Sequence, residues 1–451
     1  MPVVPLSVQM GRAYPYQGPF LWLPREIVQE IACYLIDDKD LVSLIKTCKY
    51  FAETLSPPGS GIWRELFLEK YDPPPPDKSS LEIKREYQFR HIILSKAVNF
   101  GNGEGERESL WLQCMSTLMN ESFRWYAEEW FQDAIFSHNL HVIQQNVENN
   151  DFLHRPTVGY NLREPVKPSE SFLAIQICLT HLALRLDSPF RSSRKDYDIS
   201  IAYGIGTGRR RLALFQGEYF DLEQLLHIRN FWKHHLTSRE EYTFNSAFRW
   251  YELRPHPWDV NFERRLIVGP SWGGYYSCIH PYMGKEDLID RQGCADFSTH
   301  WDKIPFVRLD LECPLKDQFW PSLFAKAFPA LPCVTTFNRH YIYGRQYIAG
   351  EEDDYYCITG MVEYLPGRQG GFPEWRRVCF VIFEPTEEEQ ELRQELGRGE
   401  KWEPQSWDDF EWASGYEGVL IPGGRIMLGR WKDMLSTCEW EGGPFLLWEI
   451  H

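Results

Sequence analysis

At 451 residues the chain is too long for one ordinary hydrophobic core, so two or three domains are expected. Hydrophobic residues make up 43% and charged residues 25%, the balance of a globular rather than a disordered chain, and 18 Trp suit pleated sheet. A net charge of −16 argues against a nucleic-acid binder, because phosphate backbones demand concentrated Lys and Arg.

The opening "MPVVPLSVQMGRAYPYQG" lacks a basic start followed by a long apolar run, so no secretory signal is expected. Leu23 and Pro24 then open a helix; proline is tolerated in a first turn, where its missing N–H would have no partner. Ile27, Ile31, Tyr34 and Leu35 follow at i, i+4, i+7 and i+8, which is one apolar helix face. Asp37 and Asp38 break that helix and can cap the next, whose apolar set is Leu41, Leu44, Ile45, Cys48 and Phe51. After "SPPGSG" at 56–61, a third short helix carries Ile62, Trp63, Leu66, Phe67 and Tyr71. The run "PPPP" at 73–76 closes the module as a stiff spacer. Helices this short cannot bury all these faces on one another, so the surplus meets either the rest of the chain or a partner.

Leu-Pro, an apolar-spaced helix, "DLVSLIKTCKYF", and Trp63 with "LFLEKYD" follow in an order that resembles an F-box, over residues 20 to about 71. In that family the module docks on the Skp-type adaptor of a cullin–RING ubiquitin ligase. The resemblance implies an adaptor contact through Leu23, Pro24, Ile27, Ile31, Leu35, Leu41, Leu44, Cys48 and Phe51.

Residues 80–98 read as a helix packing behind the module, "GNGEGERES" as a loop, and 109–149 and 168–186 as further helices. The longest apolar run, 172–186, contains His181 and Arg185 and is too short to span a bilayer. From about residue 197 the texture changes. An amphipathic helix is expected at 220–236, then short aromatic and β-branched runs broken by Gly and Pro, such as "WGGYYSCIH", "HYIYGRQYIA" and "RRVCFVIFEP". These argue a sheet that closes or sandwiches. Pro422-Gly423-Gly424 is a hairpin signal. Residues 386–400 read as a small exposed helix with capping-box spacing at Thr386 and Glu389. "WGGYYSCI", "YEGVLIPGGRIMLGRW" and "GPFLLW" resemble the C-terminal region shared by many fungal F-box proteins, which implies a β-barrel-like domain. The expected class is α+β: a three-helix F-box at 19–72, a helical linker region at 78–190, and an antiparallel β-barrel-like domain at 197–451.

Signals for chemistry are sparse. "GIGTGR" at 204–209 lacks the Gly-Lys-Ser/Thr ending of a phosphate loop, and Arg209, Arg210 and Arg211 read as a solvated turn or a salt-bridge patch. No G-x-S-x-G elbow is present. His234 and His235 point about 100° apart on a helix and read as polar-face residues. His280, His300 and His340 are isolated, and Asp408, Asp409 and the acidic run 351–354 read as solvated. The 11 Cys contain no CxxC pair; Cys33, Cys48 and Cys178 read as core residues, in a reducing compartment. No catalytic residue, metal or cofactor is therefore expected, and the expected location is cytoplasmic, nuclear or both.

Trp407, Trp412, Tyr416 and Trp431 crowd the Gly/Pro hairpin with Arg425 and Arg430. These residue types either fill a barrel or anchor a protein interface. The leading reading is the substrate-recognition adaptor subunit of an SCF-type ligase. It is non-catalytic, with the F-box on the adaptor and the barrel rim on an unidentified protein substrate, and has no nucleic-acid or membrane partner. The alternative is a small-ligand-binding or hydrolytic barrel for which the first helices are an internal cap. Exposure of Ile27, Ile31, Leu41 and Leu44 discriminates the two.

Overall fold

A computed structural model describes residues 22–35, 37–125, 137–154, 167–185, 196–206, 212–237, 268–277, 306–314, 319–348, 351–395, 402–436 and 442–450. The chain divides into two compact units, Met1–Ser95 and Lys96–His451.

The first unit holds α1 (Arg25–Cys33), α2 (Asp38–Thr47), α3 (Lys49–Leu55), α4 (Ile62–Lys70) and α5 (Ser80–Leu94). Pro24 stands at the N-cap of α1, and the Asp37 carboxylate caps α2 by accepting from the Lys39 N–H at 2.9 Å. The interior takes Val28, Ala32, Leu41, Leu55, Ile62, Trp63, Leu66 and Phe67. Helix α5 belongs to this interior through Ile83, Tyr87 and Arg90, and begins with a reciprocal Ser79–Glu82 capping box. The Arg90 guanidinium lies over the rings of Phe67 and Tyr71, at 5.1 and 4.7 Å from their centroids. Asp38 ties three helices together: its carboxylate accepts from Lys70 at 2.7 Å, from the Tyr87 hydroxyl at 2.6 Å, and pairs with His91 Nδ1 at 2.6 Å. Those donors hold its carboxyl below the usual carboxylate range against the opposing pull of burial.

The second unit is a closed antiparallel barrel with a helical coat. After α6 (Glu106–Trp125), α7 (His138–Asn149), α8 (Glu170–Cys178), α9 (Thr180–Ala183) and α10 (Ile199–Tyr203), a two-residue ladder of β1 (Phe215–Gln216) and β2 (Tyr219–Phe220) precedes α11 (Leu222–Thr237). The barrel strands are β3 (Ser271–Tyr276), β4 (Val307–Glu312), β5 (Arg339–Ile348), β6 (Glu351–Tyr364), β7 (Arg376–Pro385), β8 (Phe410–Leu420), β9 (Ile426–Asp433) and β10 (Gly442–Glu449). Each pairs with the next in sequence, and β10 pairs with both β9 and β3, so no edge is left open.

Residues from all eight strands meet in one interior cluster, among them Trp272, Leu309, Ile342, Ile358, Phe380, Tyr416, Met427 and Phe445. Gly418 and Gly429 face each other across β8 and β9, where a Cβ would come within 2.8 and 2.7 Å of the Phe445 ring. Outside, α12 (Ser322–Ala327) covers β6, β7 and β8, with Phe324 among Met361, Val381, Phe383 and Phe410. Helices α10 and α11 lie against β9 and β10. A strand such as β7 is therefore buried on both faces, which is why "RRVCFVIFEP" shows no polar alternation.

Two expectations change here. Helix α11 has almost no solvated face: His227, Arg229, Asn230, His234 and His235 are all buried. The His235 Nε2 meets the Tyr197 hydroxyl at 3.1 Å, so these histidines are interior groups rather than polar-face ones. Asp409 closes the backbone turn at 405–409 by accepting from the Gln405 and Ser406 N–H groups at 2.7 and 3.0 Å. The 386–400 segment does hold a helix, α13 (Glu387–Glu395), with Thr386 Oγ1 accepting from the Glu389 N–H and Leu392 exposed. Arg209–Arg211, His280 and His300 lie outside the described residues.

Candidate functional sites

Helix α1 carries apolar residues on two faces. Val28 and Ala32, at 3% and 0% exposure, turn inward; Ile27 and Ile31, one residue earlier in each case, stay 40% and 43% exposed. Successive helical residues point about 100° apart, so the two pairs cannot share one surface. Tyr34 extends the outward surface at the end of the helix, and Trp22 and Val42 are also exposed apolar side chains. At the end of the same helix, burial and the charges of Glu65, Glu69 and Glu30 push the Cys33 thiol up.

The residues expected to contact an adaptor occupy different environments. Pro24, Ile27 and Ile31 are exposed, and Leu23, Leu35, Leu44, Cys48 and Phe51 are half-buried. Leu41 is buried and belongs to the module's interior. Trp22, Tyr34 and Val42 were not among the expected contacts. Tyr34 was legible from its i+7 spacing to Ile27, whereas Val42 sits beside Leu41 and only the buried turn of α2 decides which of the two faces out.

The barrel residues do not form one rim. Trp412 lies near the start of β8 and Arg425 beyond its end; eight residues at about 3.4 Å each separate Trp412 from Leu420 by roughly 27 Å. Trp407 stacks on Phe324 outside the barrel, with centroids 5.6 Å apart, while Trp412 packs on Tyr356. Tyr416 and Trp431 fill the interior: Tyr416 stacks on Phe380 at 4.6 Å, and the Trp431 Nε1–H donates to the Ser277 carbonyl at 2.8 Å. Arg430 points outward but is 5% exposed. Its guanidinium donates to the carbonyls of Ile201, Ala202 and Leu212 and to Gln224 Oε1, closing the C-terminal end of α10. Tyr416, Arg430 and Trp431 are thus taken up by the fold and present no surface to a protein. Arg425, expected to be solvated, keeps only 16% of its side chain exposed and lies 3.8 Å from Glu449, whose carboxyl burial pushes up to about 7.

The sequence reading also missed a buried ion network beneath the 329–338 loop. Glu363, fully buried, accepts from Arg339 Nε at 2.8 Å, Arg377 Nη1 at 3.0 Å and the Leu331 N–H at 3.0 Å; Arg377 continues to Glu417 at 2.5 Å. Burial pulls Arg377 down, but the acidic groups of Cys379, Glu417 and Glu363 outweigh it and hold the guanidinium charged. Every member is paired, so the arrangement holds a loop and leaves no acid or base poised for chemistry. Among the described residues no cluster of His, Cys, Asp or Glu is arranged to hold a metal ion, and no helix is long and apolar enough to cross a membrane.

The family model described as F-box-like matches residues 20–69, the same stretch that forms α1 to α4. No curated protein and no solved structure matches the chain. Residues 20–69 are an F-box-like domain, and an eight-stranded closed barrel follows it in the same chain.

Proposed function

We propose that this protein is a substrate-recognition adaptor subunit of an SCF-type ubiquitin ligase. Residues 19–72 dock on the Skp-type adaptor, and the barrel domain at 197–451 receives a target protein. The observation that carries this reading is the exposed pair Ile27 and Ile31 on the first helix of an F-box-like domain. Exposed apolar surface of this kind favours a protein partner. The subunit does no covalent chemistry in this reading; it acts by proximity, holding a target near a ubiquitin-loaded enzyme bound elsewhere in the ligase. The location that suits it is cytoplasmic or nuclear.

The receptor surface is narrower than the six barrel residues first considered. Trp407 and Trp412 belong to one end of β8 and Arg425 to the other, so each end is tested separately by Trp407→Ala and Arg425→Ala. Co-expression of the full chain with a Skp-type adaptor, followed by size-exclusion chromatography, tests the docking step: one co-eluting complex is expected. Separate elution of two folded proteins refutes the reading. Affinity purification from the native organism then reports adaptor and target together.

A further inference from the structure

Helix α1 is held in the F-box-like unit by little apolar surface. It is nine residues long and buries only Val28 and Ala32, two small side chains one turn apart. They give the helix a shallow ridge with which to key into its neighbours, so packing alone resists a roll about the helix axis weakly. A roll matters because Ile27 and Ile31 stand about 100° round from that ridge and turn with it.

Polar contacts supply the missing constraint. The Gln29 side chain donates from Nε2 to the Thr54 carbonyl at 3.2 Å and accepts at Oε1 from the Gly61 N–H at 3.3 Å. Thr54 belongs to the last turn of α3 and Gly61 is the N-cap of α4, so both partners are helix-end backbone groups, which their own helices leave open. One side chain therefore joins α1 to the end of α3 and the start of α4. A primary amide suits the place because it carries donor and acceptor together, and glutamine, unlike asparagine, is a good helix former. At the entry to α1 the Tyr50 hydroxyl of α3 donates to the Leu23 carbonyl at 2.6 Å, a second restraint on the same helix.

We propose that Gln29 is a positioning residue for docking, fixing the roll of α1 so that Ile27 and Ile31 stand ready before the adaptor arrives. The inference rests on the docking function proposed for this domain and adds to it a residue that the adaptor does not touch. Gln29 lies about 160° round the helix from both Ile27 and Ile31, so it faces away from the surface those two form. Its effect on affinity is indirect: a helix already set in place spares the complex the cost of ordering it.

The full chain is titrated calorimetrically with a Skp-type adaptor in a double-mutant cycle. Gln29→Met keeps the side-chain length and removes both hydrogen bonds. At this half-buried position it is expected to leave the circular dichroism melt within a few degrees of wild type and to weaken binding about tenfold. In a chain carrying Ile27→Ala and Ile31→Ala the same change is expected to cost less than about threefold, because the surface that Gln29 positions is gone. A folded Gln29→Met protein that binds within about twofold of wild type overturns the proposal. An equal loss in both backgrounds overturns it too, since Gln29 then acts independently of the two isoleucines. Should Gln29→Met not fold, Gln29→Glu takes its place: it keeps the acceptor for Gly61 and loses the donor to Thr54, a loss of about threefold is expected, and no loss overturns the proposal. A wild-type chain that fails to bind the adaptor refutes the docking function itself, and this inference falls with it; wild-type binding with an unaffected variant refutes this inference alone.

Discussion

Ile31→Asp separates the folding role of α1 from its docking role. At 43% exposure the side chain contributes little to the module's interior, and an aspartate there keeps its charge in water. The cost to folding is therefore expected below about 1 kcal/mol, as for surface substitutions generally. Docking is different. Full burial of an isoleucine side chain is worth about 1.5–3 kcal/mol, so covering the exposed 43% contributes about 1 kcal/mol, and Ile31→Ala weakens adaptor binding by roughly fivefold. An aspartate adds the desolvation of an unpaired carboxylate, several kcal/mol, which takes the loss past about 100-fold. The assay is calorimetric titration of the full chain with a Skp-type adaptor, with circular dichroism as the folding control. Val28→Asp is the contrast: at 3% exposure its charge is driven into the interior, and the first unit itself is expected to unfold. A folded Ile31→Asp protein that binds within twofold of wild type refutes the docking assignment.

Arg430→Met strands the carbonyls of Ala202 and Leu212 and is expected to cost at least about 3 kcal/mol in urea unfolding of the barrel unit. Glu363→Ala leaves Arg339 and Arg377 without their shared carboxylate and is expected to cost about 3–5 kcal/mol, whereas Glu363→Ala combined with Arg377→Met recovers part of that loss. The amine of Lys233 sits near 7 in the folded chain against 10.5 in the unfolded one, so the unfolded chain binds more protons between those values and stability rises with pH across that window. Lys233→Met is expected to flatten that rise between pH 7 and 9, measured as the difference in melting temperature from wild type; an unchanged slope refutes it. Replacing residues 387–400 with a short Gly-Ser linker is expected to leave a cooperative melt within a few degrees of wild type, because Leu392 is exposed and the rest of the helix's first turns are acidic.

Much of the barrel is legible because its signals are local. Pro422-Gly423-Gly424 reads as a turn, and the structure has Gly423 and Gly424 at φ 95° and 73°, a conformation that a side chain disfavours. The F-box-like module is legible because its helices are short, capped and in order. The errors concern which of two apolar faces turns inward and where a charge finds its partner, and neither is a local property. Val28 and Ile27 are equally apolar, so periodicity alone ranks them together, and only the helices packed around α1 choose Val28 for the interior.

Arg425 shows the same limit most clearly. A charged residue just past a tight turn is usually solvated, and on a lone hairpin it would be. The barrel closes by bringing β10 alongside β9, and the Glu449 N–H donates to the Arg425 carbonyl at 2.9 Å. That pairing delivers a carboxylate to the guanidinium from a strand that the turn sequence does not contain. Arg430 is decided at longer range still, since its acceptors Ile201 and Ala202 precede it by 229 and 228 residues. Arg425 is half-buried and Arg430 buried because closure and the helical coat supply them with distant partners. A search for receptor residues therefore has to begin from those which closure leaves exposed, and charge or aromatic character alone does not single them out.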